Sequence, residues 1–301
     1  MVLTPRFLTL GNIFVEGLTE IRIVDDIKDE SDALTVSCEF SSASLGQIII
    51  AMPIGGYNET WKWPMGLYTF QSLESTPQGE RVMFTSAAFS PSMKKKRNKS
   101  YQKLTLKDLV GKIAGRNGLR PKCDMKIKLD HVDQRGESDM ALLQRFADKY
   151  NAIFNVKMGT LIFLSKSSMA LPFFVIFKSE AISWNLRQSN KFLYKMVKAK
   201  YHDTKKNKSV EVKVGGGSPE HLIQGNYKNK GEAKALAKAK FEKLLAQTKT
   251  GTITVEGRNM VAGGKVLVLG FGKGDGLYLI TRAEHRGKDT YTTTVTLERA
   301  V

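Results

Sequence analysis

Apolar and polar positions alternate through residues 1–92, in Glu20–Val24, Ala33–Phe40, Gly66–Phe70 and Glu80–Thr85. Successive side chains of a strand point to opposite faces, so this period of two predicts strands with one buried side. Clusters of Gly, Pro and Ser break the runs, and short strands between turn signals predict a compact antiparallel barrel or sandwich. The alternation stops at Ser90–Ser100, which is polar, basic and has nothing to bury. It predicts an exposed linker, placed at 93–100.

The period then lengthens to that of a helix. Leu106, Leu109, Val110, Ile113 and Ala114 share one face, Thr105 caps the run with Asp108 as its capping-box partner, and Asn117-Gly118 stops it. Ser138 caps a second helix, whose stripe is Leu142, Leu143, Phe146, Ala147 and Tyr150. A hairpin of Ala152–Val156 with Thr160–Leu164 follows, turning at Lys157-Met-Gly159 where Gly159 supplies a left-handed conformation. Residues 101–180 thus read as a small α+β insert.

From Ala181 strands dominate again: Lys191–His202 (a stretch that also reads as a helix), Ser209–Val214, Thr252–Glu256, Lys265–Leu269 and Leu277–His285, the last paired with Thr290–Glu298. A lysine-rich amphipathic helix at 231–247 interrupts them, burying Ala233, Leu236, Ala237, Phe241, Leu244 and Leu245. The expected fold class is α+β and mostly β. It comprises an N-terminal barrel-like domain (1–92), the basic linker (93–100), the α+β insert (101–180) and a second barrel-like domain (181–301) holding the helix.

Composition adds two constraints. No apolar run approaches the ~20 residues a membrane span needs; Leu171–Phe177 is far shorter and contains Pro172. The N-terminus lacks the basic-then-apolar layout of a signal peptide, and two cysteines, Cys38 and Cys123, exclude a disulfide framework; folding in a cytoplasm with reduced thiols is expected. The net charge of +18 is unevenly spread: residues 1–92 hold 5 Lys/Arg against 11 Asp/Glu, the other 209 hold 42 against 18. Such asymmetry points to nucleic acid or an acidic surface. The lysines lie in turns and on helix faces, at Lys94–Arg97, Lys205, Lys206, Lys208, Lys228 and Lys230, where they keep a surface soluble.

The candidate chemistry does not assemble. Gly270–Gly276 resembles a phosphate loop, but Asp275 stands where the dinucleotide fingerprint needs its third glycine, and no Gly-Lys-Ser/Thr occurs. It lies between two strand-like runs, which predicts a hairpin loop. Gly215–Pro219 reads as a flexible break. His131, His202, His221 and His285 have no metal-ligand spacing, and Asp130–Asp133 and Tyr201–Asp203 read as turns and strand ends. No Gly-x-Ser-x-Gly elbow exists, and no acid pair sits in an apolar setting. Catalytic, cofactor-binding and metal-ligating residues: none is expected, and no cofactor. Trp61-Lys-Trp63 could stack bases or sugars, but packing or an interface is the favoured reading.

One ordered set of segments resembles a known family. Leu104–Leu119, Asp130–Gln134, Glu137–Asp139, Asn151–Phe154, Tyr201–Thr204, Glu232–Ala237 and Leu279–His285 look like the late control gene D proteins of contractile-tailed temperate phages. The match runs through 101–301; residues 1–92 share only β-rich character, and the Lys94–Lys99 run departs from the family. The resemblance implies a non-enzymatic baseplate hub of two tube-like antiparallel β-barrel domains around the insert. A homotrimer of such chains would join the sixfold tail tube to a threefold central spike. The implied partners are itself, the central spike protein, the tail tube protein, the tape measure and other baseplate proteins; no membrane anchor and no specific nucleic acid are expected. The implied location is the virion tail baseplate, assembled in the host cytoplasm. Two other readings compete: a basic late regulator that binds nucleic acid, for which no recognition-helix module is present, and a cell-wall hydrolase of the puncturing device, for which no acid pair stands out.

Overall fold

The computed structural model describes residues 2–8, 18–27, 32–38, 50–56, 62–77, 79–86, 91–157, 159–203, 207–225, 227, 229–287 and 290–301. The chain opens with β1 (Val2–Leu8), β2 (Leu18–Asp26), β3 (Ala33–Cys38), β4 (Ile50–Gly56), β5 (Lys62–Pro64), β6 (Tyr68–Thr76) and β7 (Gly79–Thr85). The alternation does what it predicts: Leu34, Val36 and Cys38 of β3 and Val82 and Phe84 of β7 are buried while their neighbours are not. Each such side chain contributes about 1.5–3 kcal/mol by leaving water.

The predicted linker is structured. Residues 91–94 form a helical turn, α1 (Pro91–Lys94), and the rest begins β8 (Lys96–Thr105). Met93 is fully buried and Arg97 turns inward to Ser92 and Asp139. Along β8 itself Tyr101 and Leu104 face the core, Arg97 and Thr105 are half-buried, and the other side chains stay in water. Its partner is a strand the sequence hid. After α2 (Leu106–Arg116) and β9 (Arg120–Cys123), β10 (Lys128–Ser138) runs antiparallel to β8, pairing Leu129 with Leu104 and Val132 with Tyr101. The acids and His131 expected in turns therefore sit on a strand, with a bulge between Gln134 and Glu137.

Both caps form as read. Thr105 and Asp108 make a reciprocal capping box on α2, and Ser138 accepts the Ala141 amide at the start of α3 (Asp139–Tyr150). Asn151 ends α3 in the left-handed region, φ 51°. The hairpin β11 (Ala152–Lys157) and β12 (Thr160–Ser165) turns through Gly159 at φ 71° and adds β9 as a parallel third strand. Leu109, Ile113, Leu142, Phe146 and Phe163 close the core of this unit.

Beyond it come β13 (Phe173–Phe177), β14 (Ala181–Gln188), β15 (Met196–Asp203), β16 (Lys208–Gly215) and β17 (Glu220–Gln224). Then follow α4 (Lys230–Ala246), β18 (Lys249–Glu256), β19 (Lys265–Leu269), β20 (Gly276–Gly287) and β21 (Tyr291–Arg299). Of the predicted strand 191–202 only the part from Met196 is extended. α4 covers the sheet β16-β15-β17 with Ala233, Ala237 and Leu244 fully buried, Leu236 and Phe241 only partly so. The glycine-rich 270–276 segment joins the antiparallel pair β19–β20 and is a hairpin loop, as expected.

The protein is mostly β with few helices, and the organising feature is one large sheet. Its strand order is β1-β4-β6-β7-β3-β2-β20-β21-β18-β14, with β5 beside β4 and β13 and β19 joined through β20. The N- and C-terminal β-rich regions are therefore one sheet, paired from Ile21 with Gly287 to Asp26 with Arg282. β13 lies within 101–180 in sequence but pairs with β19. Trp61, Lys205, Lys206, Lys228 and the turn at 288–289 lie outside the described residues.

Candidate functional site

Three of the segments that carry the family resemblance, Leu104–Leu119, Asp130–Gln134 and Glu137–Asp139, meet in one buried polar network. Asp139 starts α3 with no exposed surface. Arg116 at the end of α2 grips it with Nε at 2.6 Å and with Nη2, Asn117 donates Nδ2 at 3.0 Å, and Gln134 of β10 donates Nε2 at 2.9 Å. Arg97 of β8 stands 3.6 Å away, and the Tyr101 hydroxyl accepts from Arg116 at 2.8 Å. Burial pushes the Asp139 carboxyl up, but the hydrogen bonds from Arg116, Gln134 and Asn117 more than reverse this and hold it below the usual range. One acid thus ties α2, α3, β8 and β10 together, which is a structural duty.

The histidines also have structural partners. His131 is 41% exposed on β10 and pairs with Asp133 at 2.8 Å, which in turn holds Arg135. His285 is buried. Its Nε2 lies 2.9 Å from the Met260 carbonyl, which can only accept, so that nitrogen carries the proton. Nδ1 then accepts from the Tyr291 hydroxyl at 2.9 Å. Burial pulls its pKa down to about 4, so the ring is neutral. Burial raises the pKa of both thiols, Cys38 and Cys123. Among the described residues no cluster of His, Cys, Asp and Glu could hold a metal ion, and no helix is long and apolar enough to cross a membrane.

A second charged cluster fastens the insert to the large sheet, with no signal of it along the chain. Lys157, at the tip of β11, reaches Asp25 of β2 at 2.5 Å and Asp32 at 3.5 Å. Asp25 also accepts the Ala262 amide at 3.0 Å, and Asn155 donates to the Asp26 carbonyl at 3.3 Å. Three distant stretches of chain meet here. Burial pushes the Asp25 carboxyl up to about 6; Lys157 opposes that rise and Asp32 adds to it.

These two shifts act in opposite senses. A carboxyl raised from 3.8 to about 6 is favoured in its protonated form by folding, so its contribution is full at low pH and lost as pH rises through about 6. A histidine lowered from 6.5 to about 4 contributes fully above its unfolded value and loses that as pH falls. Asp25→Asn removes only the first. Its stability relative to the parent protein should rise by up to about 3 kcal/mol between about pH 4 and pH 7, at roughly 1.4 kcal/mol per unit. Urea denaturation across that range measures it; a pH-independent difference would refute the shift.

The surface carries the remaining candidates. Trp63 is half-buried and packs beside Tyr291, ring centroids 6.5 Å apart, so it fills core and not a stacking platform. Lys230, Lys234 and Lys238 make an exposed stripe along α4 at a spacing of four. β14 ends the described strand order and pairs only with β18. Its side chains are unusually exposed for an apolar strand: Ile182 at 58% and Trp184 at 48%. Phe173 and Phe177 of β13 are likewise exposed, and Lys178 places its ammonium 5.4 Å from the Trp184 ring. An unpaired edge with apolar side chains is a surface awaiting a partner.

Comparison with known proteins gives this arrangement a context. The phage tail baseplate hub (GPD) family profile matches residues 87–291. A probable baseplate hub protein of Escherichia phage 186 is 29% identical over 232 residues, covering 71% of this chain and 58% of the relative. That of Escherichia phage P2 is 28% identical over 224 residues, covering 68% and 56%. The chain thus matches little more than half the length of these relatives. In fold, it is similar to the tail protein from Neisseria meningitidis MC58, with a TM-score of 0.70 at 14% identity over 99% of this chain and 96% of that one. With its profile spanning more than half of the sequence, from α1 into β21, the chain belongs to the phage tail baseplate hub family.

Proposed function

We propose that this protein is a structural hub subunit of a contractile phage-tail baseplate and performs no catalysis. The observation that carries this reading is the family match over residues 87–291, which takes in the insert and most of the C-terminal region. The site chemistry supports it: Asp139 is committed to a structural network, Asp108 to a helix cap, Asp133 and Glu137 to ion pairs, and His285 is buried, neutral and hydrogen-bonded on both nitrogens.

On this reading three copies form a closed ring in which 1–92 and 181–301 each supply a tube-like β-barrel unit, the two joined by the β2–β20 pairing, with the insert at 101–180 between them only in sequence. The ring joins a sixfold tail tube to a threefold central spike, within the virion tail, alongside the tape measure and other baseplate proteins. Closure in a ring covers the β14 edge and its apolar side chains, removing the aggregation hazard of an open strand. The basic surface, exemplified by the α4 stripe, sets register against an acidic partner.

Light scattering on the purified chain, alone and with a candidate spike protein, tests the reading. The expected result is three times the chain mass in at least one of these conditions. A strict monomer in both would sink it.

A further inference from the structure

The cluster at the root of the insert borders a cavity of about 300 Å³. Its walls come from β2, from the Pro64–Tyr68 stretch, from Ser86, from the turn between β11 and β12, and from Asn259–Val261. They are largely apolar: Ile23, Met65, Leu67, Tyr68 and Val261. At about 30 Å³ per water molecule, the volume suits a group of several heavy atoms.

The polar groups in this cavity do not balance. Asp25 and Asp32 share one ammonium, that of Lys157, and His285 is already satisfied by Met260 and Tyr291. The Asp25 carboxylate uses both oxygens, on Lys157 and on the Ala262 amide. Asp32 uses only Oδ2. Asp32 is one of the residues around the cavity; its side chain is 93% buried, and its Oδ1 has no hydrogen-bond partner. A buried carboxylate oxygen without a donor costs several kcal/mol, and two anions against one cation leave a surplus negative charge. The missing element is a cationic N–H donor with an apolar body.

We propose that this cavity binds a primary alkylammonium group, which donates to Asp32 Oδ1 while its carbon chain lies against Met65, Leu67 and Val261. The charge selects a monocation over a neutral amine or alcohol. The apolar walls select an alkylammonium over a bare alkali ion, which needs several oxygen ligands. The group arrives either as a small free amine or as the lysine side chain of another polypeptide. Because Lys157, Asp25 and Asp32 come from the insert and the sheet, occupancy would tighten the joint between them.

The full chain is titrated with n-butylammonium chloride, with butan-1-ol, with NaCl at equal ionic strength, and with Nα-acetyl-lysine methylamide. Calorimetry gives Kd, and thermal melting should rise by about 2 °C at ten times Kd with butylammonium and not with butanol or NaCl. Tighter binding of the lysine derivative than of butylammonium assigns the site to a donated side chain; the reverse assigns it to a free amine. Asp32→Asn should abolish the response. Should that variant misfold, Leu67→Lys places a tethered ammonium at the cavity mouth and should both raise the melting temperature and remove the response. Equal effects of butylammonium, butanol and NaCl on the parent protein, or an undiminished response in either variant, overturn the proposal.

Discussion

Asp139→Ala should cost about 3–5 kcal/mol, the largest loss expected of any single polar substitution in this chain. The reason is not the loss of the carboxylate itself but what it leaves behind. Arg116, whose side chain is only 19% exposed, keeps its charge with no counter-ion, and Arg97 stands close by with the same sign. Asn117 and Gln134 each lose an acceptor in a setting where water cannot easily replace it. The damage should localise. Hydrogen exchange should accelerate most in α2, α3 and β10, while β20 and β21 keep their protection. Gln134→Ala removes one donor and no charge, and its smaller loss, roughly 1–3 kcal/mol, provides the scale. A loss under about 1 kcal/mol for Asp139→Ala would mean the network is solvated and the insert is held by its apolar core alone.

If the proposed ring closes through the β14 edge, replacing Trp184 by Glu should abolish self-association while leaving the fold intact. Trp184 is nearly half exposed and makes modest contacts within the chain, an edge-on approach to Phe271 at 5.6 Å and the Lys178 ammonium above it. Its folding cost is therefore small. In a ring contact the same side chain is a large apolar anchor on an otherwise bare strand edge, a position where truncation typically costs about 2 kcal/mol or more per interface. That is about 30-fold in affinity at each contact, and a charge buried there adds to it. Light scattering reads the outcome directly, and the melting temperature checks that folding survives. Leu222→Glu, at a similarly exposed position on β17, should leave the mass unchanged. If Trp184→Glu associates as the parent does, the β14 edge is not the contact.

How far these features were legible varies with the range of the interaction that sets them. The caps at Thr105 and Ser138, the stop at Asn117-Gly118 and the turn at Gly159 all form where they were read, because each rests on hydrogen bonds or backbone preferences within a few residues. Residues 96–100 read as a linker because four of those five side chains are hydrophilic and exposed; what makes them a strand is the backbone of Asp133–Ser138, over thirty residues away. The Asp130–Asp133 stretch was misread for the complementary reason. Its charges suggest a turn, yet Leu129 and Val132 face the insert core and the ladder to β8 supplies the hydrogen bonds. The Asp139 network was half visible: Arg116, Asn117, Gln134 and Asp139 all lie in the recognisable segments, but nothing along the chain says that they meet.

The sequence by itself determined the class of this protein and its local punctuation: mostly β, a helical insert with named caps, a basic C-terminal two-thirds, and an order of segments that marks its family. Those properties follow from periodicity, short-range capping and composition, which are written along the chain. Only the tertiary structure decided that β2 pairs with β20 and makes one sheet of two distant regions. It alone brings Lys157 to Asp25 and Asp32, leaves Asp32 Oδ1 without a donor beside a cavity, and exposes Trp184 on an open edge. These are outcomes of strand register and burial between residues more than a hundred positions apart, where no local preference distinguishes a buried partner from a solvated charge.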